Sequence, residues 1–352
     1  MRMNGSILLI SGLPRRAGLP TSFEYQLILL ARFFRKQGWR ATVLGPEPGP
    51  VRKALQKFRP WAAILLGYPD QFQFLLGDQD ARIPLYLWAQ CSRPPDPSSF
   101  GSAWVVPITM KTKEFLGYAG VLRVLPVIPH GVDTEFFRPL SPRERYRERR
   151  KYGVEGRFVV GAIGANTSRK RFDLIMEAFR IFTSRRHDAT LVIKTDRVVG
   201  ADGRDLHAIA MRLGIEKRTI ILSGEFSMKR LRGLYGSFDL FVNLSEWEGF
   251  CLPVAEAMSC GVPVLTHRIQ GAGELAPYDE LMAEDSIPYE ESGATLFQAR
   301  SETAAALMER AAEDGALRGR LAEEGRLEAE NNYNAGIVAR RWEKIFASGD
   351  YP

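Results

Sequence analysis

Cysteine and histidine are scarce in this chain of 352 residues, with three of the first and four of the second. Cys91, Cys251 and Cys260 lie far apart without metal-ligand spacing, which argues against a cysteine-held metal and points to a reducing, cytoplasmic compartment. No run of about 18 or more apolar residues occurs, so no membrane-spanning helix is expected. The apolar part of the opening Met-Arg-Met-Asn-Gly-Ser-Ile-Leu-Leu-Ile-Ser is too short for a secretory signal. An acidic excess is also missing. The net charge of +7 suggests an anionic partner, and nucleic acid, an acidic membrane surface and a phosphorylated small molecule all fit.

What is present is the balance of a soluble globular protein, 45% hydrophobic and 25% charged, at a length that suggests two domains. Short apolar runs alternate with amphipathic stretches. Ile7–Ser11, Ala41–Leu44, Ala62–Leu66, Leu85–Trp88 and Trp104–Ile108 read as strands, and Phe23–Gln37 as a helix ended by Gly38. Uniformly apolar strands between helices are the pattern of a parallel sheet buried on both faces, wound right-handedly. Prolines and a glycine interrupt the chain at Leu125–Asp133, and Pro139 and Pro142 follow. The pattern then restarts at Phe158–Ile163, Thr190–Lys194, Thr219–Leu222, Leu240–Asn243 and Pro263–Leu265, and Ser301–Arg341 reads as helices. The expected domains are therefore 1–138 and 139–334, with a last helix over about 335–352 packing back on the first.

Residues 245–265 carry the strongest chemical signal. A strand ends near Asn243, Glu248-Gly249-Phe250-Cys251 forms a tight loop, and Pro253 suits the first turn of a helix that Gly261 stops. A helix N-terminus at the carboxyl end of a parallel strand is a natural anion site, because its N–H groups lack acceptors and its dipole favours negative charge. Seven residues separate Glu248 from Glu256. The segment resembles the signature of glycosyltransferase family 4, the retaining, glycogen-synthase-like glycosyl transferases group 1. Glu248, Gly249, Phe250, Leu252, Pro253, Glu256, Ala257, Met258, Gly261, Pro263 and Val264 match it, and Cys251 stands where a small residue, usually glycine, is found.

The resemblance implies an α/β protein of the GT-B fold, two facing Rossmann-like domains with parallel sheets. The N-terminal domain would take the acceptor and the C-terminal domain the nucleotide-sugar. It implies that Glu248 holds donor-sugar hydroxyls and that the N–H groups of Gly249, Phe250, Cys251 and Leu252 cradle sugar and diphosphate. Glu256 would accept the ribose hydroxyls, as an ionised carboxylate can. After the strand at Phe158–Ile163 and Asn166, the family places an arginine and a lysine five positions apart to clamp the diphosphate. Lys170 falls on the lysine position and Ala165 on the arginine position, so Arg169 or Arg171 is expected to compensate. Such cations can stabilise a leaving nucleoside diphosphate without a metal.

The loop at Gly224 and Glu225 resembles the one lining the nucleobase pocket. Tyr235 and Asp239 match the pattern before the next strand and read equally as packing residues or ligands. Pro129–Asp133 resembles the inter-domain segment, with His130 expected in a left-handed turn rather than as a base. Gly12 and Gly18 resemble the family's glycine loop. Trp88-Ala-Gln-Cys-Ser stands where a histidine often ends a strand.

Two basic stretches have plainer readings. Arg143–Lys151 reads as a solvated helix laced by its own glutamates. In Arg32, Phe33, Phe34, Arg35, Lys36, Trp39 and Arg40, some aromatics must face a core and the rest could touch a membrane. Asp78-Gln79-Asp80 has the Asp-x-Asp spacing of metal-dependent glycosyltransferases but lies in a polar turn, so no metal site is expected.

The expected activity is a retaining, metal-independent transfer of a hexosyl-type sugar from a UDP- or GDP-sugar to an acceptor hydroxyl on a glycan, glycolipid or small molecule. Glu248 and Lys170 would be catalytic, with no cofactor and no nucleic-acid partner. Peripheral contact with the inner face of a membrane is a candidate. The alternatives are a sugar-nucleotide epimerase of GT-B-like fold, disfavoured by the few histidines, and a basic nucleic-acid-binding protein, which leaves the paired glutamates unexplained.

Overall fold

The chain, described here by a computed structural model, forms two compact units: Met1–Asp133 with Asn332–Pro352, and Thr134–Asn331. The described residues are 5–14, 21–77, 83–91, 93–184, 186–269, 271–283, 287–291 and 294–348. Gly18 and Asp78–Asp80 lie outside them.

In the first unit the chain runs through β1 (Ser6–Ser11), α1 (Ser22–Lys36), β2 (Arg40–Leu44), α2 (Pro48–Phe58), β3 (Ala62–Gly67), α3 (Gln73–Leu76), β4 (Leu85–Ala89), β5 (Trp104–Pro107) and α4 (Met110–Tyr118). Their sheet has the order β2-β1-β3-β4-β5, and each pairing is parallel. Every residue of β3 and β4 is buried, which is why their sequences are apolar without alternation.

The second unit contains α5 (Pro142–Tyr152), β6 (Phe158–Ile163), α6 (Phe172–Thr183), β7 (Ala189–Lys194), α7 (Leu206–Leu213), β8 (Thr219–Leu222), α8 (Met228–Ser237), β9 (Leu240–Val242) and α9 (Leu252–Ser259). It continues with β10 (Val264–His267), α10 (Ala272–Leu275), β11 (Met282–Ala283), the hairpin β12 (Ile287–Glu291) and β13 (Ala294–Gln298), α11 (Ser301–Glu313) and α12 (Gly315–Glu328). Its main sheet is also parallel, in the order β11-β10-β9-β6-β7-β8. The chain leaves β6 toward β7 and β8, then returns to β6's other edge as β9. The carboxyl ends of β6 and β9 therefore border a topological switch point, where open α/β sheets hold their ligands.

The last helix, α13 (Ala335–Ala347), belongs to the first unit and contacts α1. Trp342 is fully buried there, with ring centroids 5.5 Å from Trp88 and 6.2 Å from Tyr86. Phe346 packs at 5.9 Å from Phe34 and 5.2 Å from Trp61. The units divide at 133/134 and 331/332, slightly ahead of the expected 138 and 334. Hydrogen bonds explain the shift. Arg326 donates to the carbonyls of Thr134 and Phe137 at 3.0 and 2.8 Å, so residues 134–138 stay with the second unit. Val132 donates to Tyr333 and Ala335 to Val132, so the returning chain is tied into the first.

Of the aromatics in the basic stretch 32–40, Phe34 and Trp39 face the core of the first unit, as expected, and Phe58 and Trp61 nearby are exposed, 40% and 43% accessible. Two sequence-based expectations change. His130 is not in a left-handed turn, since the positive-φ residues other than glycine are Arg59, Arg171 and Cys251 among the described residues. Helix α5 is not merely solvated: Arg145 and Arg149 turn inward to Asp239. The Asp239 carboxylate also accepts the Val159 N–H at 2.7 Å, joining α5 to the start of β6. Charge-assisted bonds of this kind are individually worth about 1.5–3 kcal/mol. Asp239→Ala is therefore expected to lower the unfolding free energy of the second unit by about 2–3 kcal/mol. Urea denaturation measures it, and an unchanged midpoint would refute the role.

Candidate functional site

The loop between β9 and α9 lies at the carboxyl edge of the second sheet and is pinned from below. Ser245 is fully buried, and its carbonyl accepts the Nε2–H of His267 at 2.7 Å. That contact assigns the His267 tautomer, and burial holds its ring down at about 4, so it is neutral near pH 7. Gly271, at φ 74°, passes so close to the Glu248 carbonyl that a Cβ would sit 2.6 Å from it. Cys251 is the N-cap of α9 with φ 74° and ψ 66°, a left-handed conformation that glycine adopts without cost. The small residue expected at this position thus has a backbone reason. Pro253 falls in the first turn, where its missing N–H is harmless.

Glu248 is buried at the mouth of this helix. Lys170, from the turn that follows β6, is also buried and pairs with its Oε1, and Arg169 reaches its Oε2 at 3.0 Å. Burial alone would raise the Glu248 carboxyl, but the Lys170 ammonium and the Arg169 guanidinium overcome this and hold it at about 2. A Cβ at Gly164 would lie 3.1 Å from the Lys170 stem, so glycine makes room for the lysine. Arg169 stacks over Trp247 at 4.8 Å and donates to its carbonyl at 3.1 Å. Arg171 is placed differently. It sits at φ 47° as the N-cap of α6 and pairs with Glu246 at 2.7 Å and Asp173 at 3.2 Å.

Glu256 is buried one helix turn further along α9, and its Oε2 accepts the Tyr235 hydroxyl at 2.7 Å. Burial raises this carboxyl to about 7, against the pull of Tyr235 and Lys194. The loop that enters α9 and the helix itself thus carry two carboxylates in opposite electrostatic states. Lys194 ends β7, and both it and Arg230 lie over the Phe226 ring, at 5.5 and 3.5 Å from its centroid.

The sequence profile of the family described as glycosyl transferases group 1 matches residues 144–328, more than half of the chain and all within the second unit. This chain belongs to that family. It is 31% identical over 148 residues to the mannosylfructose-phosphate synthase of Agrobacterium fabrum, covering 40% of this chain and 31% of that protein. It is 32% identical over 145 residues to a GDP-mannose-dependent alpha-mannosyltransferase of Mycolicibacterium smegmatis, covering 41% and 34%. The match spans about a third of the length of these relatives. Among solved structures, Anabaena HepE in complex with UDP and glucose superposes with a TM-score of 0.76 at 18% identity, over 98% of this chain and 100% of that one. The fold is GT-B, with Rossmann-like domains built on parallel sheets.

Within this glycosyl transferases group 1 chain, Glu248, Lys170 and Arg169 come together, while Arg171 is directed to other carboxylates. Asn166 spends its donors on structure: its N–H bonds Asp196 at 2.8 Å, and its amide bonds the carbonyls of Val198 and Arg204. Gly224, at φ 89°, donates to the Asp196 carbonyl, and Glu225 is exposed beside it. Lys194, Trp247 and His267 were not anticipated as site residues. A cation ending the buried strand Ala189–Lys194 was the one available signal for Lys194.

In the first unit, the Gly12 N–H bonds the Leu66 carbonyl at 2.8 Å, and a Cβ there would collide with the Gln71 side chain. Trp88 donates to the Ile128 carbonyl at 2.6 Å, and His130 packs edge-on against it at 5.0 Å. Burial pushes His130 down to about 3, so it is neutral at physiological pH.

The left-handed Cys251 gives a direct test of the loop. Cys251→Gly should alter stability by no more than about 1 kcal/mol, since relief of strain offsets the lost side chain. Cys251→Val, of similar size but β-branched, should cost about 2 kcal/mol or more. Chemical denaturation measures both, and equal effects would discard the backbone argument.

Proposed function

We propose that the chain is a retaining, metal-independent glycosyltransferase moving a hexosyl-type sugar from a UDP- or GDP-sugar to an acceptor hydroxyl of a glycan, glycolipid or small molecule. The observation that carries this reading is the buried Glu248 carboxylate, gripped by Lys170 and Arg169 beside the N-terminus of α9. An arriving diphosphate would share these two cations and the helix's N–H groups. Glu248 would then be released to accept hydroxyls of the donor sugar. As the bond to the nucleotide breaks, negative charge grows on the leaving phosphate, and Lys170 and Arg169 neutralise it where it appears. No metal is needed for that step. Glu256 accepts the ribose hydroxyls, Gly249–Leu252 cradle the phosphates, and the Gly224–Glu225 loop borders the base. The acceptor belongs to the first unit, and its hydroxyl attacks on the leaving-group face.

Support for both bases comes from the relatives, one named as GDP-mannose-dependent and one solved with UDP. The epimerase alternative needs acid–base groups around the sugar, whereas His130 and His267 are both buried and held neutral. Acceptor-dependent release of UDP or GDP tests the reaction, and NMR of the product anomer tests retention. Lys170→Ala is expected to lower kcat about 10²–10³-fold. Undiminished turnover in that variant would remove the lysine from the mechanism.

A second surface supports peripheral attachment to an anionic membrane. The span of the first unit holds 19 lysines and arginines against 10 acidic residues, and that of the second holds 29 against 31. All of the excess positive charge thus falls in the first, where exposed Phe58 and Trp61 are flanked by Arg52, Lys53, Lys57 and Arg59. A basic rim around exposed aromatics suits an anionic interface. Among the described residues no helix is long and apolar enough to cross a membrane. Sedimentation with phosphatidylglycerol vesicles, and not with phosphatidylcholine vesicles, is the expected outcome. Changing Phe58 and Trp61 together to Ser should lower it at least about threefold. Equal sedimentation with both lipids would end this reading.

A further inference from the structure

Tyr235 of α8 is fully buried among Phe137, Phe238 and Phe241, at centroid distances of 6.1, 6.3 and 5.8 Å. In such surroundings phenylalanine would pack as well, and a phenol hydroxyl must find a partner for the water it loses. Its partner is Glu256 Oε2, at 2.7 Å. Among the described residues no second donor meets this carboxyl, so its Oε1 is left for a ligand.

We propose that Tyr235 is a positioning residue for the nucleotide: its hydroxyl locks the Glu256 carboxylate so that Oε1 is presented to the ribose hydroxyls. This rests on the ribose role given to Glu256 above. Tyr235 touches no part of the donor and acts through the glutamate alone.

The contact also governs when Glu256 can work. An ionised carboxylate accepts two hydroxyl donors, whereas the protonated form has less acceptor capacity and presents a donor. Burial raises Glu256 to about 7, and the Tyr235 hydroxyl and the Lys194 ammonium act in the opposite direction. The neighbouring Cys260 thiol is pushed well above its ordinary range, first by burial and then by Glu256, and remains protonated. Arg232 of α8 and Arg326 of α12 act on that thiol. On β10, His267 is bonded to Ser245, and on α10, Glu274 is exposed. Tyr235 and Lys194 are thus the groups that keep Glu256 ionised near neutral pH. Removing the hydroxyl moves its titration upward, so nucleotide binding is lost at a higher pH.

The experiment is calorimetric titration of UDP and of GDP into the wild type, Tyr235→Phe and Glu256→Gln, from about pH 6 to about pH 9. The 2′,3′-dideoxy analogue of the tighter nucleotide is titrated in parallel. Wild-type affinity should rise through neutral pH. Tyr235→Phe should bind about three- to tenfold more weakly at pH 7, with its rise displaced upward. The dideoxy analogue should bind both proteins equally. In Glu256→Gln the pH dependence should vanish, and adding Tyr235→Phe to it should change nothing further. Superimposable curves for Tyr235→Phe and wild type would overturn the proposal. So would a loss that is constant with pH and shared by the dideoxy analogue, the signature of a packing role. If Glu256→Gln binds nucleotide as tightly as wild type, the ribose assignment fails first, and the positioning role falls with it.

Discussion

A buried carboxylate has to be neutralised, and the second unit is arranged around neutralising Glu248. An isolated ion at that depth would cost on the order of several kcal/mol, so the fold must bring cations to it. Lys170 and Arg169 come from the turn after β6, while Glu248 comes from the loop after β9, 78 positions along the chain from Lys170. The pairing of β6 with β9 sets those turns side by side. Ion pairs of this type add little net stability compared with an apolar contact, which suggests that the site is kept for its chemistry.

Helix α9 gathers the remaining requirements. Its entry is a left-handed residue, its first turn carries Pro253, and its interior carries Glu256. The chain bends around it at Gly271 and Gly261, both with positive φ. Glu248, in the loop before it, and Glu256, within it, end up in opposite states because their neighbours differ. Glu248 has two full cations within reach, whereas Glu256 has a neutral phenol and a more distant lysine. Burial is common to both, and the partners decide the outcome.

The first unit shows the same separation of scaffold and surface. Its returning helix α13 completes an aromatic core with Trp88, Tyr86 and Phe34, which leaves the basic face of α2 exposed. Aromatic residues in contact have different fates: Trp39 is inside and Trp61 lies at the rim, although their rings meet at 6.0 Å.

Much of this was legible from residue order alone. Uniform apolar runs such as Phe158–Ile163 announced buried parallel strands, and the spacing from Glu248 to Gly261 announced a loop, a helix and its stop. These are local properties, dictated by period, by proline and glycine geometry and by a family signature confined to one segment. The sequence by itself determined two parallel α/β domains, the family and the identity of the two glutamates. Only the tertiary structure decided that Lys170 and Arg169 meet Glu248 while Arg171 turns to Glu246, and that Tyr235 holds Glu256. It alone decided that Cys251 must be left-handed and that Asp239 draws in two arginines of a helix that reads as solvated. Each of those outcomes depends on which strand ends lie together, and strand order is set by long-range packing that a local pattern does not encode.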